Sequence, residues 1–301
     1  MKKLFLVGVV LLGIFCLTDL TNAQVGADDL RKAIPAMDTT GWTVKGNIGI
    51  NFTSIGLSNW SGGGNNATSL LGLLNFTANY HTKTFSWDNA AEFGYGLTWV
   101  SPETNARKSD DRIIIISKAG LAAAENLRWT GLLDFRTQFT LGEDYTKAPG
   151  TEARKLSNLF APAFLTLALG AEWKPVDYMS ILVAPVTGRI VIVADADLAR
   201  LGSFGVTAGQ NTLVELGALL NVQLKRDVTE NVNLATRLNV FAPYISIGKP
   251  IVNWENLIIL KVNKFLNVSL AGDLIYGVPV TNSTNLLQLR GVAAIGFVLP
   301  F

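Results

Sequence analysis

Hydrophobic and polar residues alternate along most of this chain, in short segments separated by polar or glycine-containing stretches. In the clearest segment, from Trp87 to Trp99, aromatic and aliphatic residues occupy one parity, whereas Asp88, Glu92 and Thr98 occupy the other. A period of two places successive side chains on opposite faces of a β-strand. Twelve segments can be assigned in this way, the fourth starting at Arg112 and the fifth ending at Leu141. The pattern predicts an all-β protein.

The connections between the predicted strands alternate between long and short. Phe52–Ser69 and Gly142–Pro162 are long, whereas Lys83–Ser86 is a tight turn. Long loops on one side, tight turns on the other and an even number of strands are typical of an outer-membrane β-barrel. The alternating segment Gly291–Phe301 would pair with Trp42–Asn51 and close the barrel. The sequence therefore predicts a transmembrane antiparallel β-barrel of about 12 strands.

Aromatic residues support this interpretation over an ordinary soluble sandwich. Several of them fall next to predicted short turns, as expected for an interfacial girdle: Trp42, Tyr80, Trp87, Trp129, Trp173 and Phe301. Charged residues make up 16% of the chain, compared with about 25% in a typical soluble domain. Beyond the N-terminal region, no apolar run reaches the ~20 residues of a membrane-spanning helix.

The N-terminal residues predict export. Lys2 and Lys3 precede the apolar run Leu4–Leu17, and small residues lead up to Ala23, which is the pattern of a secretory signal peptide over residues 1–23. We therefore expect Sec-dependent export and a location in the bacterial outer membrane. Residues 24–41 would form a periplasmic segment or a plug, and residues 42–301 the barrel.

The composition argues against several functional classes. The 25 basic and 23 acidic residues nearly balance, so nothing indicates a nucleic-acid surface. The only cysteine, Cys16, lies in the predicted signal peptide, and His81 is the only histidine. A metal site would need several such ligands, and no nucleophile-elbow pattern surrounds Ser69 or Ser86. We expect neither a cofactor nor an enzymatic activity.

Residues of both charges fall on the predicted interior face. The candidates for lining the lumen are Asp88, Glu92, Arg112, Arg128, Asp134, Arg136, Gln138, Glu172, Glu215, Arg237, Asp273 and Arg290. Such charges either pair and close a narrow lumen or line a water-filled path. Two functions stay open: a narrow channel or transporter for an unidentified small solute, and a closed structural or docking barrel.

The docking alternative depends on residues in two predicted extracellular loops. The candidates for contact there are Asn59, Trp60, Arg107, Lys108, Asp110 and Asp111. Their partner would be another protein or the phosphates of lipopolysaccharide. We expect a monomer surrounded by outer-membrane lipid. The strand that ends in Phe301 also resembles the signal read by the barrel-assembly machinery.

Short motifs occur near the ends of several predicted strands. They are Asn51–Ser54 followed by Asn59-Trp60 and three glycines, the stretch Arg107–Arg112, Thr137-Gln138-Phe139 with Gly142, and Ala184–Arg189. Together with Trp254-Glu255 and Lys261–Lys264, they resemble a Bacteroidetes family catalogued as domain of unknown function number 3078. The resemblance extends over about Gly41 to Tyr276. It implies an outer-membrane barrel and assigns no activity.

Overall fold

Twelve antiparallel strands form a closed barrel. The computed structural model describes residues 40–56, 65–102, 105–144, 154–263, 266–278 and 287–300. Each barrel strand pairs with the barrel strands that precede and follow it along the chain, so the topology is up-and-down. The predicted all-β fold, an antiparallel barrel of about 12 strands, is confirmed.

The barrel strands are longer than most of the predicted segments. They are β1 (Gly41–Ile55), β2 (Ala67–His81), β3 (Phe85–Val100), β4 (Arg107–Ala124), β5 (Leu127–Thr137), β8 (Ala163–Val176), β9 (Met179–Ile192), β10 (Thr212–Thr229), β11 (Val232–Pro243), β12 (Ile251–Lys261), β13 (Leu266–Tyr276) and β14 (Leu287–Pro300). Two long loops contain further elements, the hairpin β6 (Gly142–Asp144) and β7 (Arg154–Ser157) and the helix α1 (Ala196–Arg200). Within the described ranges, no helix is long and apolar enough to cross a membrane.

The first and last strands close the barrel. β14 runs antiparallel to β1, with Pro300 opposite Asn47 and Phe297 opposite Ile50. This is the pairing predicted from the alternation of the last segment. Closure pairs the edges that an open sheet would expose. The terminal Phe301 lies outside the described residues.

The outer face of the barrel is apolar. In β2, Leu71 and Leu73 are buried, whereas Leu70 and Leu74 are exposed, so the alternation separates interior from exterior. Tryptophans lie at the strand ends that adjoin the short turns, and the Trp42 ring is 5.8 Å from that of Trp87. Trp129 and Trp173 are also exposed at this end. These described members of the predicted girdle therefore share one end of the barrel.

Two predicted strand boundaries were wrong. Arg107–Asp111 was assigned to a loop, but it is the first part of β4. A bulge explains how the pairing continues: Gly96 lies opposite Asp110 and Leu97 lies opposite Lys108, so Ser109 is an extra residue. The fifth strand ends at Thr137 and not at Leu141. The backbone N–H groups of Phe139 and Thr140, which follow it, donate to the Asp111 side chain on β4.

Candidate functional site in the lumen

Most of the predicted lumen residues lie close to one another on one face of the sheet. Most take part in ion pairs with one another or with interior residues that were not singled out. Gln138, which follows β5, faces the same space. The interior charges therefore form contacts across the barrel and not a row of separate solvated groups.

Two ion pairs connect strands that are far apart on the barrel wall. Arg136 Nη1 on β5 donates to Glu255 Oε1 on β12 at 2.8 Å, and the two strands are five positions apart in the sheet order. Arg290 Nη2 on β14 donates to Asp110 Oδ2 on β4 at 2.8 Å. Contacts of this kind are made through the lumen, so they narrow it where they occur.

Close to the short turns, the lumen contains a second group of interior residues, four charged side chains and one serine, which we call the turn-side charge cluster (Asp88, Lys118, Glu172, Lys174 and Ser180). Lys118 Nζ donates to Glu172 Oε1 at 2.6 Å, and Ser180 Oγ donates to the same oxygen at 2.5 Å. Glu172 is only 2% exposed and Ser180 0%. The cluster is therefore a closed, desolvated ion-pair network.

An apolar layer lies between this cluster and the loop side of the barrel. Ile116, Leu132, Leu182 and Leu219 point inward from β4, β5, β9 and β10 and pack into one buried group with Phe241 and Ile251. Leu182 is 1% exposed. Apolar side chains of this kind disfavour water and ions in the part of the lumen that they line.

Above the apolar layer the lumen opens into a cavity of about 350 Å³, the chamber. Its apolar lining consists of Leu132, Pro162, Phe164, Phe204, Leu219, Phe241, Ile251, Ile275 and Val278, and its polar lining of Asp134, Arg136, Gln138, Ser157, Thr166, Arg189, Asn239, Asn253 and Gln288. The volume lies within the range of about 300–1,000 Å³ that is usual for small-molecule pockets. A mixed lining suits a solute with both apolar and polar groups.

The charges at the chamber wall have carboxylate partners. Arg136 Nε donates to Asp134 Oδ1 at 2.8 Å, and Arg189 Nη1 donates to Glu215 Oε2 at 2.6 Å. The guanidinium of Arg189 also lies 5.1 Å from the centre of the Phe164 ring, which is a cation–π distance. These contacts hold both arginines in fixed orientations beside the cavity.

Two long loops cover the chamber, and we call them the lid. Ser157 and Pro162 come from the β5–β8 loop, and Phe204 comes from the β9–β10 loop. A buried apolar group that includes Ala161, Val193 and Leu198 packs the two loops together.

Lys155 fastens the lid from outside. Its Nζ donates to Asp195 Oδ2 at 2.8 Å and to Asp197 Oδ2 at 3.0 Å. Asp195 also caps helix α1 and accepts from Asn158 Nδ2 at 3.0 Å. Partial desolvation would raise the pKa of Asp195, but these hydrogen bonds outweigh it and lower the pKa to about 2. The carboxylate is therefore ionised, and the fastening in place, at neutral pH.

The prediction that Arg107, Lys108, Asp110 and Asp111 lie in an extracellular loop was wrong, because all four belong to β4. The bulge at Ser109 directs Lys108 and Asp111 to the same face of β4, where Lys108 Nζ donates to Asp111 Oδ2 at 2.8 Å. Asp111 accepts from the backbone N–H groups of Phe139 and Thr140 at 2.7 and 2.9 Å. Lys108 and Asp111 thus hold the chain that follows β5, an arrangement we call the motif clasp.

The motif clasp explains why two separate motifs occur together. A Cβ atom at Gly142 would lie 3.2 Å from Lys108 Nζ and still closer to the Ser157 hydroxyl, so the position favours glycine. Asp110, from the same stretch, points into the lumen and pairs with Arg112. The other predicted loop contacts, Asn59 and Trp60, lie outside the described residues.

Several residues of the site were not predicted from the sequence. Glu255 and Arg189 occur in noted motifs, and Glu255 has the parity opposite to the outward Trp254, which could have identified it as an interior residue. Phe164, Phe204 and Phe241 had no such signal, because the interior face was recognised by its charges alone.

The single histidine belongs to the turn side of the lumen. His81 Nε2 lies 2.6 Å from Asp88 Oδ1. The described residues contain no group of three or more histidine, cysteine, aspartate or glutamate side chains arranged to hold a metal ion.

A family model described as "Protein of unknown function (DUF3078)" matches residues 52–142. The family resemblance is confirmed over this segment, which contains both motifs of the clasp. No curated protein matches the chain significantly.

The chain is similar to several solved structures at low sequence identity. The translocator domain of the autotransporter NalP from Neisseria meningitidis is 11% identical with a TM-score of 0.41, over 91% of this chain and 96% of that one. The COG4313 outer membrane channel from Pseudomonas putida F1 is 11% identical with a TM-score of 0.41, over 87% and 96%. Outer membrane phospholipase A from Escherichia coli is 10% identical with a TM-score of 0.36, over 86% and 97%. Any function for this chain has to be argued from its own lumen.

Proposed function

We propose that the protein is a narrow, gated channel or transporter of the outer membrane that admits a small solute to the chamber from the loop side. The observation that carries this proposal is the chamber itself, an interior cavity of about 350 Å³ beneath the lid. A barrel that serves only as a scaffold has no need of a partly polar cavity within its wall.

The orientation follows from the loops and the outer face. Short turns of outer-membrane barrels face the periplasm, and the longer loops face outward. The exposed aromatics at the turn end, such as Trp42 and Trp129, suit a lipid interface. In this proposal, residues 1–23 direct export, residues 24–41 lie at the periplasmic side, and the barrel inserts as a monomer through the assembly machinery.

Passage through the barrel requires a gate. A solute in the chamber meets the apolar layer below it and the turn-side charge cluster beyond that layer. The side chains of Leu182 and Glu172 are among the most deeply buried of these two regions. Transport therefore needs a rearrangement of this half of the lumen, whereas loading of the chamber needs movement of the lid.

Conductance in planar lipid bilayers tests the proposal. We expect small or intermittent conductance for the wild type and a larger, steadier conductance for Leu182→Ala, which removes part of the apolar layer. Leu169→Ala is the matched control, since Leu169 on β8 is 62% exposed on the outer face. Conductance in neither the wild type nor Leu182→Ala would contradict the channel.

The cross-lumen ion pairs favour a second candidate, a closed barrel that binds lipopolysaccharide through its loops. They span the lumen at Arg136–Glu255 and at Arg290–Asp110. This candidate predicts binding to lipopolysaccharide vesicles that falls when Trp60 is replaced by alanine, together with an absence of conductance. Binding that is unaffected by Trp60→Ala would exclude this loop as the contact.

A further inference from the structure

The electrostatics of the chamber indicate which class of solute it accepts, an inference that rests on the proposed function. Three arginines near the chamber face three carboxylates: Arg136 bonds to Asp134 and Glu255, Arg189 bonds to Glu215, and Arg237 lies 3.7 Å from Asp134. The charges therefore balance, and each is held by a partner on the wall.

A charged solute would have to compete with these pairs. Binding of an anion by Arg189, for example, would separate it from Glu215 and leave that carboxylate uncompensated beside the cavity. Removing one member of a buried pair is strongly unfavourable. An uncharged solute leaves every pair intact.

An amide of the wall has a donor that no described group accepts. Asn239 Oδ1 accepts from Asn221 Nδ2 at 2.5 Å, which fixes the orientation of the Asn239 amide. Its Nδ2 is buried and has no hydrogen-bond partner in the part of the chain that the structure describes. A buried donor of this kind requires an acceptor, and Asn239 lines the chamber.

The apolar part of the lining is held in place at a conformational cost. Phe241 and Leu219 are each 5% exposed and belong to the rigid wall. Phe204, in the lid, has a left-handed backbone with φ 60° and ψ 18°. A bulky residue in this region is a genuine outlier and persists only where the surroundings demand it. Here the strain places a benzyl group at the roof of the chamber.

We propose that the chamber selectively binds an uncharged amphipathic solute, whose apolar body packs against Phe241, Leu219 and Phe204 and whose oxygen acceptor receives the Asn239 Nδ2 hydrogen. Anions and cations of the same size are excluded because the wall offers them no unpaired counter-charge.

Three isosteric probes test this selectivity: benzamide, benzoate and benzamidinium, which share one shape and carry charges of 0, −1 and +1. Each is titrated into the full-length mature barrel in lipid nanodiscs, with empty nanodiscs as the blank, and binding is measured by ligand-observed NMR. We expect benzamide to bind at least about tenfold more tightly than either ion. Equal or tighter binding of benzoate or benzamidinium, or binding of none of the three, would overturn the proposal.

Variants locate the site. Leu219→Trp fills the chamber and should abolish benzamide binding, whereas Leu216→Trp, on the same strand but 67% exposed on the outer face, should leave it unchanged.

Asn239→Leu tests the hydrogen bond to the solute. It should weaken the binding of benzamide by about tenfold, which corresponds to the loss of one hydrogen bond. It should weaken the binding of toluene, which has no acceptor, much less. If the variant weakened the binding of benzamide and of toluene equally, Asn239 would not donate to the solute, and this proposal would be wrong. For any variant that does not refold, the ranking of the probes on the wild type decides alone.

Conductance of the same purified protein in planar lipid bilayers separates this inference from the proposed function. Benzamide selectivity without conductance or solute flux would retain the site and reject transport. Conductance without benzamide selectivity would retain the channel and reject the solute class.

Discussion

The two halves of the lumen contain the same kinds of residues, but one half is filled and the other borders a cavity. On the turn side, Lys118 and Glu172 are buried and bonded directly to each other. On the loop side, Arg136 and Asp134 form an equally close pair, yet they border a cavity of about 350 Å³. Mixed charges on an interior face thus do not by themselves indicate an open or a closed lumen.

The difference lies in what surrounds the pairs. The turn-side charge cluster is buried and borders the apolar layer, in which Leu182 is 1% exposed. The loop-side pairs are covered only by the lid, which is fastened through Lys155 and Asp195. The turn side is therefore the rigid half and the loop side the adaptable one, and the following variants should separate them.

The largest loss of stability is expected when Glu172 is replaced. Glu172→Gln leaves Lys118 and Lys174 without their carboxylate in a buried site, and the loss of unfolding free energy should be about 3–5 kcal/mol. Urea unfolding of the barrel in lipid vesicles measures it. Glu230→Gln, at an exposed turn, is the control and should change stability by less than about 0.5 kcal/mol. Equal effects of the two variants would contradict a desolvated turn side.

A smaller loss is expected at the motif clasp. Asp111→Ala removes the acceptor of the Phe139 and Thr140 backbone N–H groups and should cost about 2 kcal/mol. Amide exchange at residues 138–142 should accelerate with it, while exchange at β8 and β9 stays slow. Asp177→Ala, at an exposed turn, provides the control. Unchanged exchange at 138–142 would show that the clasp does not hold this segment.

Glu255→Gln, on the loop side, should lower the free energy of unfolding by a moderate amount. Arg136 keeps its bonds to Asp134, so the loss of stability should be about 1–2 kcal/mol, near that of one charge-assisted hydrogen bond. Because the cross-lumen contact weakens, conductance in planar bilayers should rise. A loss as large as that of Glu172→Gln would mean that the two halves are equally sealed.

The smallest effect is expected in the lid, where the stability of the fastening at Asp195 should depend on pH. The folded-state pKa of Asp195 is lowered from 3.8 to about 2, so its contribution is complete above 3.8 and is lost as the pH falls through about 2. Amide exchange at residues 195–209, corrected for the intrinsic rate, should be constant from pH 7 to 5 and should increase below about pH 3. Lys155→Met should raise this exchange at neutral pH. A change between pH 7 and 5 would require another titrating group.

Much of this architecture was predictable, since a period of two is local and needs no knowledge of the fold. Strand segments such as Trp87–Trp99 and the closing pair β1–β14 follow from alternation alone. The start of β4 did not, because Arg107–Asp111 has the composition of a solvated loop, and its charges are satisfied only by the bulge at Ser109 and by contacts to residues 139 and 140.

The chamber was not predictable for a different reason. Arg136 and Glu255 are 119 residues apart in sequence, and their contact depends on the curvature of the whole barrel. Phe164 and Phe241 sit at interior positions whose apolar character gave no contrast with the outer face. Charged residues revealed which face is interior, but only the fold shows where the interior is filled and where it is hollow.

The contrast between the two halves is tested most directly by cysteine accessibility. The only native cysteine, Cys16, lies in the proposed signal peptide, so single cysteines can be placed at Thr166 in the chamber and at Ser180 in the turn-side charge cluster. Both variants are treated in intact cells with a small uncharged methanethiosulfonate reagent. The account predicts rapid modification of Thr166→Cys and almost none of Ser180→Cys, whose position is 0% exposed. Equal rates at the two positions, or faster modification of Ser180→Cys, would contradict it.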